Sequence, residues 1–580
     1  MTGCDSRKFC ALHRLLRSVR LLLLSMAAGL GAAEAPTLLH LFPVAAALGT
    51  SNTITFAGKF EPWPCKVWVD AAGIIFSPQK DKGKFSVDVA TNAPIGPHLL
   101  RVYNDEGASA PRFFVVTKDR EEMDAEPNDA FDKPQVLTTL PTVVNGRLDK
   151  SGDVDSFAVS LEEGQELVAW VEGYTLGSSF DGVLRLVDSS GTQVALNHDG
   201  VTFDPMLIWK ASRKGTYALQ LFGFAYPATS EVRFTGGEGC VYRLHVTTGP
   251  YVRYTLPLAV QRGVSTRLEL HGSNLQRAGI KSSLDFDGAG LSADATSKWL
   301  AIQSDAVGYP IPVGAAVELM EVEPNDTPKE AMSLSLPSAV TGRIGKPGDE
   351  DFFGFEAKKQ DIDELSLQSG SLGFPLDAWI KIVDAAGKEL ARTDDTAGSR
   401  DPHLSWTAPE NGRYFVAVGD LTRKGGGEFW YHLRISRAEP AIRASVESST
   451  FTARPGRTNE IKVALKRLNG HNGRIQARLA ELPKGVEAAP VEVDAKSNEV
   501  TVTMIASKES PGWNGPIEIL IRDLDKGVDQ KALFSLVSTG ENNGVPQGYT
   551  RLLINITDQL WLTVAPEPPS KEAEEAAKKE

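Results

Sequence analysis

The chain has 580 residues, 42% of them hydrophobic, which is enough for several folded domains and too polar for a membrane protein. Its formal net charge is −13. No basic stripe is present to neutralise phosphates, so nucleic acid is excluded as the expected partner. The acidic balance fits a secreted protein or one that binds cations.

The first predicted element is a leader at residues 1–35. Three arginines precede an apolar run from Leu21 to about Ala33, as in a signal peptide. The run is short for a membrane span, and a retained membrane anchor is the alternative. No later segment of the sequence is long and apolar enough to span a membrane. We therefore expect a protein that is secreted, periplasmic or on the cell surface.

After the leader, the sequence predicts one strand after another. Apolar residues alternate with polar ones at Phe157, Val159 and Leu161, and this period of two recurs many times. Turn sequences such as Asp188-Ser189-Ser190-Gly191 separate the strands at short intervals. Sustained helical periodicity is scarce. The predicted fold class is all-β, a string of antiparallel β-sandwiches.

Two stretches carry the same acidic pattern. Each has a Glu-Pro-Asn-Asp sequence, at 126–129 and 323–326, and a Gly-Asp-Xaa-Asp sequence, at 152–155 and 348–351. Carboxylate and amide oxygens at this density suit a hard cation such as Ca²⁺. The alternative is that Asn-Asp starts a turn and the carboxylates cap backbone amides.

The acidic pattern belongs to a longer repeat. Asp155 and Asp351 lie 196 positions apart (351 minus 155), and this offset holds with about one net indel across most of a domain. A second repeat precedes each copy, because Gly49 and Gly58 correspond to Gly263 and Gly272 at an offset of 214 (263 minus 49). The predicted order is A-B-A′-B′ followed by a different segment.

These repeats predict the boundaries of the domains. The predicted parts are a leader (1–35), an Ig-like domain (36–118), an acidic-motif sandwich (119–249), a short Ig-like domain (250–320), a second acidic-motif sandwich (321–438), an Ig-like C-terminal sandwich (439–566) and a disordered charged tail (567–580).

The acidic motifs, with Gly-Xaa-Tyr strands at 215–217 and 412–414, give the segments 119–249 and 321–438 a resemblance to the bacterial pre-peptidase C-terminal (PPC) domain family. The resemblance implies a jelly-roll-like β-sandwich, usually attached to secreted peptidases and similar to the collagen-binding domains of collagenases. In those relatives the acidic linker before the first strand folds back and binds calcium.

The same resemblance implies two sets of calcium ligands. Site one comprises Asp124, Glu126, Asn128, Asp129, Asp153 and Asp155. Site two comprises Glu321, Glu323, Asn325, Asp326, Asp349 and Asp351. The shorter side chain at position 124 predicts a weaker first site. Extracellular modules bind calcium at roughly 10⁻⁴–10⁻³ M, so the expected ion is structural.

The segments 36–118 and 250–320 resemble the TIG/IPT type of Ig-like domain. A proline entry, a Gly-hydrophobic-Gly core and the closing sequence Gly96-Pro97-His98-Leu99 of the first copy carry this resemblance. The second copy is shorter and departs from the pattern after Leu275.

Other repeated residues are assigned structural roles. The pairs Asp188/Asp384 and Asp199/Asp395 are interpreted as turn residues rather than ligands, and Trp209/Trp406 and Tyr217/Tyr414 as core residues, with a ligand-binding face as the alternative for the tyrosines.

Only two cysteines, Cys65 and Cys240, follow the leader. They lie in different predicted domains, and we favour free buried thiols over a disulfide although a secreted setting permits one.

Motifs for catalysis are missing from the sequence. It contains no His-Glu-Xaa-Xaa-His, no Gly-Xaa-Ser-Xaa-Gly elbow and no Gly-rich phosphate loop after a strand. We therefore expect a non-catalytic binding protein with calcium-stabilised modules that bind a polysaccharide or a protein at the cell envelope. The alternatives are an accessory or degenerate relative of a secreted peptidase, and a structural spacer.

Overall fold

The computed structural model describes residues 34–200, 203–225, 233–292, 295–300, 309–396, 399–537 and 553–565. These residues form 47 strands and two 3-10 turns, η1 (Tyr174–Leu176) and η2 (Gly370–Leu372), which confirms the all-β fold class. Most of the predicted leader and the whole predicted tail lie outside the described residues. Within the described ranges, no helix has the length and apolar content needed to cross a membrane.

The N-terminal sandwich is built from two sheets with the strand orders β1-β3-β6-β5 and β2-β9-β7-β4, and β8 pairs with β7. Its core forms because alternate residues point inward, such as Ile54 and Phe56 on β3. The strands are β1 (Thr37–Phe42), β2 (Ala45–Ala47), β3 (Ser51–Lys59), β4 (Lys66–Val69), β5 (Ile74–Pro78), β6 (Lys84–Val89), β7 (Gly96–Asn104), β8 (Gly107–Ala108) and β9 (Arg112–Thr117).

The first acidic sandwich has two five-stranded sheets, β10-β12-β19-β14-β17 and β11-β13-β18-β15-β16. The edge strands β10 and β11 run parallel to β12 and β13, and the remaining pairs are antiparallel. The strands are β10 (Glu121–Met123), β11 (Gln135–Val136), β12 (Thr142–Arg147), β13 (Asp155–Leu161), β14 (Glu166–Glu172), β15 (Phe180–Val187), β16 (Gln193–Asn197), β17 (Met206–Lys210), β18 (Gly215–Ala225) and β19 (Val241–Thr247).

The middle sandwich is small, with three-stranded sheets β20-β22-β23 and β21-β25-β24. Its core includes Val260, Leu268 and Ile311, which are fully buried. The strands are β20 (Tyr251–Leu256), β21 (Val260–Gln261), β22 (Thr266–Ser273), β23 (Ser283–Phe286), β24 (Ser297–Leu300) and β25 (Tyr309–Gly314).

The second acidic sandwich repeats the topology of the first, with sheets β26-β28-β35-β30-β33 and β27-β29-β34-β31-β32. Its first strand lies at 317–320, ahead of the position 321 predicted for this segment, because it pairs in parallel with β28. The strands are β26 (Val317–Met320), β27 (Met332–Ser333), β28 (Ser338–Arg343), β29 (Glu350–Ala357), β30 (Ile362–Gln368), β31 (Ala378–Val383), β32 (Glu389–Thr393), β33 (His403–Thr407), β34 (Gly412–Asp420) and β35 (Trp430–Arg437).

The C-terminal sandwich has sheets β40-β42-β38-β36-β45-β46 and β37-β47-β43-β39-β41, and β44 pairs with β43. Ile461, Val463 and Leu465 alternate into its core from β38. The strands are β36 (Ala441–Val446), β37 (Thr450–Ala453), β38 (Thr458–Leu468), β39 (Ile475–Ala480), β40 (Val486–Ala488), β41 (Val491–Val493), β42 (Glu499–Ala506), β43 (Trp513–Asp523), β44 (Val528–Lys531), β45 (Leu533–Val537), β46 (Leu553–Thr557) and β47 (Leu560–Val564).

The two ends of the chain contact each other. The Arg101 guanidinium of the N-terminal sandwich is fully buried. It donates to the Ser449 Oγ at 3.2 Å and to the Gln559 carbonyl at 2.6 Å, both in the C-terminal sandwich. Trp561 packs edge-on against Trp68 with ring centroids 5.5 Å apart. The string of sandwiches therefore folds back on itself.

The two cysteines of the described chain are free thiols. Cys65 lies in the core of the N-terminal sandwich and Cys240 in that of the first acidic sandwich, and both are buried. This agrees with the predicted free thiols, and the fold does not depend on a disulfide between them.

Candidate metal centres

Each acidic motif continues directly from an edge strand and is held against the next strand of the opposite sheet. In site one, the backbone N–H of Asp124 donates to the Asn145 carbonyl on β12 at 2.9 Å. The N–H of Ser156 on β13 donates to the Asn128 carbonyl at 3.2 Å. The loop thus crosses from one sheet to the other and brings its side chains beside the start of β13.

Site one brings its predicted acidic residues together. The ligand oxygens of Asp124, Glu126 and Asp155 lie within 4.8 Å of one another, and those of Glu126, Asp129 and Asp153 do the same. The sixth predicted ligand, Asn128, is placed by two hydrogen bonds. Its Nδ2 donates to the Asp124 Oδ1 at 2.8 Å, and its backbone N–H donates to the Glu126 Oε2 at 2.9 Å.

Site two repeats one of these two groups of acidic residues. The ligand oxygens of Glu323, Asp326 and Asp349 lie within 4.8 Å of one another. The Asn325 Nδ2 donates to the Glu321 Oε1 at 2.9 Å, and the Asn325 N–H donates to the Glu323 Oε2 at 3.1 Å. Asp351, the sixth predicted ligand, is fully buried at the start of β29.

Several buried oxygens of these clusters accept no hydrogen bond. An oxygen buried without a partner is costly, and most such atoms in folded proteins are satisfied. A cation bound in each cluster would offset the cost of these unpaired oxygens, and an all-oxygen donor set fits calcium. The oxygens are the Oδ1 atoms of Asn128, Asp153, Asp155, Asn325, Asp326, Asp349 and Asp351.

Burial and mutual repulsion disfavour the charged form of these carboxyls. Burial, with a further contribution from the Asp124 carboxylate, raises the pKa of Asp155 to about 9. Burial, with a contribution from Glu321, raises the pKa of Asp351 to about 10. A divalent cation would offset both causes, since it attracts the carboxylates that repel one another.

Sequence reasoning missed the tyrosines that hold the deepest carboxylates. The Tyr242 hydroxyl donates to the Asp155 Oδ2 at 2.5 Å. The Tyr431 hydroxyl donates to the Asp351 Oδ2 at 2.7 Å and contacts the Glu321 Oε1 at 3.0 Å. The alternating pattern of their strands accounts for the burial of both tyrosines, and only their place in both copies of the repeat signals a shared role.

The other repeated residues occupy structural positions. The Asp384 Oδ1 accepts hydrogen bonds from the N–H groups of Ala386 and Lys388, each at 2.9 Å. Asp188 makes the corresponding turn in the first acidic sandwich. These contacts confirm the predicted turn role of this pair. Tyr217 is buried and packs on Trp209 with centroids 4.8 Å apart. Tyr414 and Trp406 repeat that contact at 4.7 Å, in agreement with the predicted core role.

Asp199, also predicted to be a turn residue, lies in a further acidic group. Its ligand atoms lie within 4.8 Å of those of Asp181 and His198. The group is largely exposed, and Asp394 occupies the position of the histidine in the second repeat. The group is therefore a feature of one copy and lies outside the repeated sites.

The comparisons with known proteins cover small parts of the chain or align weakly. A scan against protein-family models gives no match. A probable subtilase-type serine protease of Deinococcus radiodurans is 37% identical over 112 residues, which are 18% of this chain. The match spans 15% of the length of that protease.

Solved structures give the following alignments. The pre-peptidase C-terminal domain of a Bacillus anthracis collagenase aligns over 100% of its own length and 19% of this chain, at 16% identity and a TM-score of 0.16. The M60 catalytic domain with CBM51 domains from Clostridium perfringens ZmpB aligns over 55% of its length and 71% of this chain, at 9% identity and a TM-score of 0.14. At these TM-scores the alignments carry no argument about function.

Proposed function

We propose that this chain is a non-catalytic, multi-domain binding protein that acts in the periplasm, on the cell surface or outside the cell. Its two acidic sandwiches hold structural calcium and bind a polysaccharide or a protein at the cell envelope. The supporting observation is the repeated cluster of carboxylate and amide oxygens, several of which are buried and accept no hydrogen bond.

The distribution of hydrogen bonds favours calcium over turn capping. Capping accounts for one oxygen of some carboxylates, as when the Gly345 N–H donates to the Asp349 Oδ2 at 2.8 Å. The other oxygen of the same carboxylate, Oδ1, is buried and accepts no hydrogen bond, although the Lys346 ammonium lies 3.4 Å away. If turn chemistry alone had shaped the loop, exposed capping residues would be sufficient, because water would satisfy the remaining oxygen.

Calcium titration of the purified full chain by calorimetry, with thermal melts in calcium and in EDTA, tests this proposal. We expect two binding events at about 10⁻⁴–10⁻³ M and a lower melting temperature in EDTA. Asp153→Asn and Asp349→Asn should each remove one event, whereas Asp384→Asn, in a surface turn, should remove neither. No heat and no melting shift would reduce both motifs to turn chemistry.

Binding at the envelope is tested with the same variants. The full chain is passed over immobilised envelope polysaccharide and over envelope protein extracts, in calcium and in EDTA. The repeated architecture supports avidity from two modest sites, so loss of both sites should weaken retention more than loss of one. Retention that is equal for the wild type and for the double variant Asp153→Asn/Asp349→Asn would contradict a role for the calcium-stabilised modules.

A second candidate is an accessory or degenerate relative of a secreted peptidase. The 112-residue similarity to a probable subtilase-type serine protease favours it. Under this alternative, the chain would bind a peptidase or its substrate rather than an envelope polymer. Cleavage of a broad peptide library by the purified chain, abolished by a serine-protease inhibitor, would replace the non-catalytic proposal with an enzymatic one.

A further inference from the structure

In each acidic cluster, the ammonium group of one lysine contacts two of the carboxylates. In site two, the Lys346 Nζ is 2.8 Å from the Asp326 Oδ2 and 3.4 Å from the Asp349 Oδ1. In site one, the Lys150 Nζ is 3.4 Å from the Asp129 Oδ2 and 3.3 Å from the Asp153 Oδ1. The contact therefore occurs in both copies of the repeat.

The two lysines occupy equivalent positions. They lie 196 positions apart (346 minus 150), which is the offset of the acidic motifs themselves. Each lysine is three residues before the first aspartate of the Gly-Asp-Xaa-Asp sequence, Asp153 or Asp349. The turn between lysine and aspartate is fixed in both copies by a backbone hydrogen bond, from the Asp153 N–H to the Lys150 carbonyl and from the Asp349 N–H to the Lys346 carbonyl.

The ammonium groups lie on the solvent side of the clusters. The Lys346 side chain is 64% exposed, whereas that of Asp349 is 1% exposed. The lysine contacts two of the three carboxylates in the group formed by Glu323, Asp326 and Asp349. A divalent cation bound to the same carboxylates would need oxygens at about 2.3–2.6 Å, and an ammonium at these distances would compete for them and repel the ion.

We propose that Lys150 and Lys346 are built-in counter-cations that neutralise the acidic clusters of the metal-free protein and must leave their carboxylates when calcium binds. The inference rests on the proposed calcium sites and adds the residue that sets their affinity. Release is sterically simple, because the lysine has a flexible four-carbon stem and is already largely in solvent. The lysine thus protects the metal-free fold and weakens calcium binding.

The test uses the full chain with Lys346→Met and Lys150→Met, which keep the apolar stem and remove the charge. Each variant should bind calcium about 3- to 30-fold more tightly at its own site at low salt, since each lysine gives up two ion pairs of modest strength that salt screens. The gain should shrink as the salt concentration rises. Lys346→Arg, which keeps the charge, and Lys388→Met, on an exposed turn of the same sandwich, should leave the affinity within about 2-fold of the wild type.

Thermal melts provide a second readout with the opposite sign. In EDTA the methionine variants should melt below the wild type because the carboxylates lose their counter-charge, and in saturating calcium the difference should vanish. If the wild type binds calcium and the methionine variants bind it with the same affinity, the counter-cation role is wrong and the calcium sites stand. If neither the wild type nor any variant binds calcium, the proposed sites fail and this inference fails with them.

Discussion

At the residue scale, the chemistry of this chain is concentrated in a few buried carboxyls. Both Asp155, the first residue of strand β13, and Asp351, the second residue of β29, are fully buried. Each accepts a hydrogen bond from a buried tyrosine, yet the pKa of each remains far above its usual value because burial outweighs that bond. The metal-free protein therefore retains protons at these positions at neutral pH.

The raised pKa of Asp351 predicts that this residue lowers the free energy of unfolding as pH rises. The variant Asp351→Asn should not show this loss. A carboxyl with a raised folded-state pKa destabilises the fold as pH rises from its unfolded value, about 4, to its folded value, about 10. In EDTA at pH 7, we expect Asp351→Asn to be more stable than the wild type by roughly 2–4 kcal/mol. Urea unfolding at several pH values measures this difference, which should disappear near pH 4.

In calcium, the wild type should become more stable than Asp351→Asn. The wild type gains stability from the ion, and the gain grows with pH because calcium binds the deprotonated carboxylates. Asp351→Asn has lost one of the proposed ligands of site two and should gain less. Asp384→Asn is the control for removing a surface carboxylate. A stability difference between the wild type and Asp351→Asn that does not change with pH would contradict the linkage.

The acidic residues that the two clusters bring together could be predicted from the sequence, but the residues that contact them could not. Repetition of short local motifs singled out the acidic residues. Tyr431 lies 110 positions from Glu321 and reaches it only through the pairing of strands, so no local pattern links them. The role of Lys346 could not be predicted for another reason. Lysines are common on exposed turns, so a single lysine does not indicate a contact with the acidic residues.

At the scale of elements, one glycine in each acidic sandwich leaves space for the tyrosine that contacts the buried aspartate. Gly342 on β28 is directly opposite Tyr431 on β35, and Gly146 on β12 is opposite Tyr242 on β19. A Cβ at Gly342 would lie 2.4 Å from the Tyr431 Cζ. The Tyr431 ring thus packs over the backbone of Gly342, where any side chain would clash with it, and its hydroxyl extends to Asp351.

Gly342→Ala should therefore displace the Tyr431 ring and disturb site two. We expect a loss of about 1–3 kcal/mol in the free energy of unfolding, as for an overpacked core, together with weaker calcium binding at site two alone. Urea unfolding in EDTA and calorimetry measure the two effects separately. Gly427→Ala is the matched control, because a Cβ there has nothing within 4 Å. Unchanged calcium affinity would show that the tyrosine does not support the site.

The strands and the repeated sandwiches could be predicted from alternation and repetition, whereas some pairings could not. The strand at 317–320 has only partly buried or exposed residues and lacks the alternation of a half-buried strand. It forms because its backbone pairs in parallel with residues 338–341. Backbone pairing of this kind produces no recognisable pattern of side chains. The boundary predicted from the acidic motif, at position 321, therefore assigned this strand to the preceding segment, 250–320.

At the scale of the whole molecule, the chain closes on itself. Arg101 and Gln559 are 458 positions apart and are joined by a hydrogen bond. Leu99 and Phe113 of the N-terminal sandwich share an apolar cluster with Leu536 of the C-terminal one. Sequence reasoning treated the sandwiches as consecutive units, with an extended spacer as one alternative. A contact between dissimilar end domains lies outside any repeat, so repetition gave no sign of it.

Closure predicts a compact particle whose ends separate when the buried arginine is lost. Arg101→Met removes the hydrogen bonds to Ser449 and Gln559, and one to the Ser109 carbonyl of its own sandwich. Loss of the donor to the partly buried Gln559 carbonyl costs about 1–3 kcal/mol. We expect a lower melting temperature and a larger radius of gyration by small-angle X-ray scattering. Arg267→Met, which removes an exposed ion pair in the middle sandwich, should change neither. An extended wild-type particle would contradict the closed arrangement, and an Arg101→Met variant as compact and as stable as the wild type would show that Arg101 does not hold the two ends together.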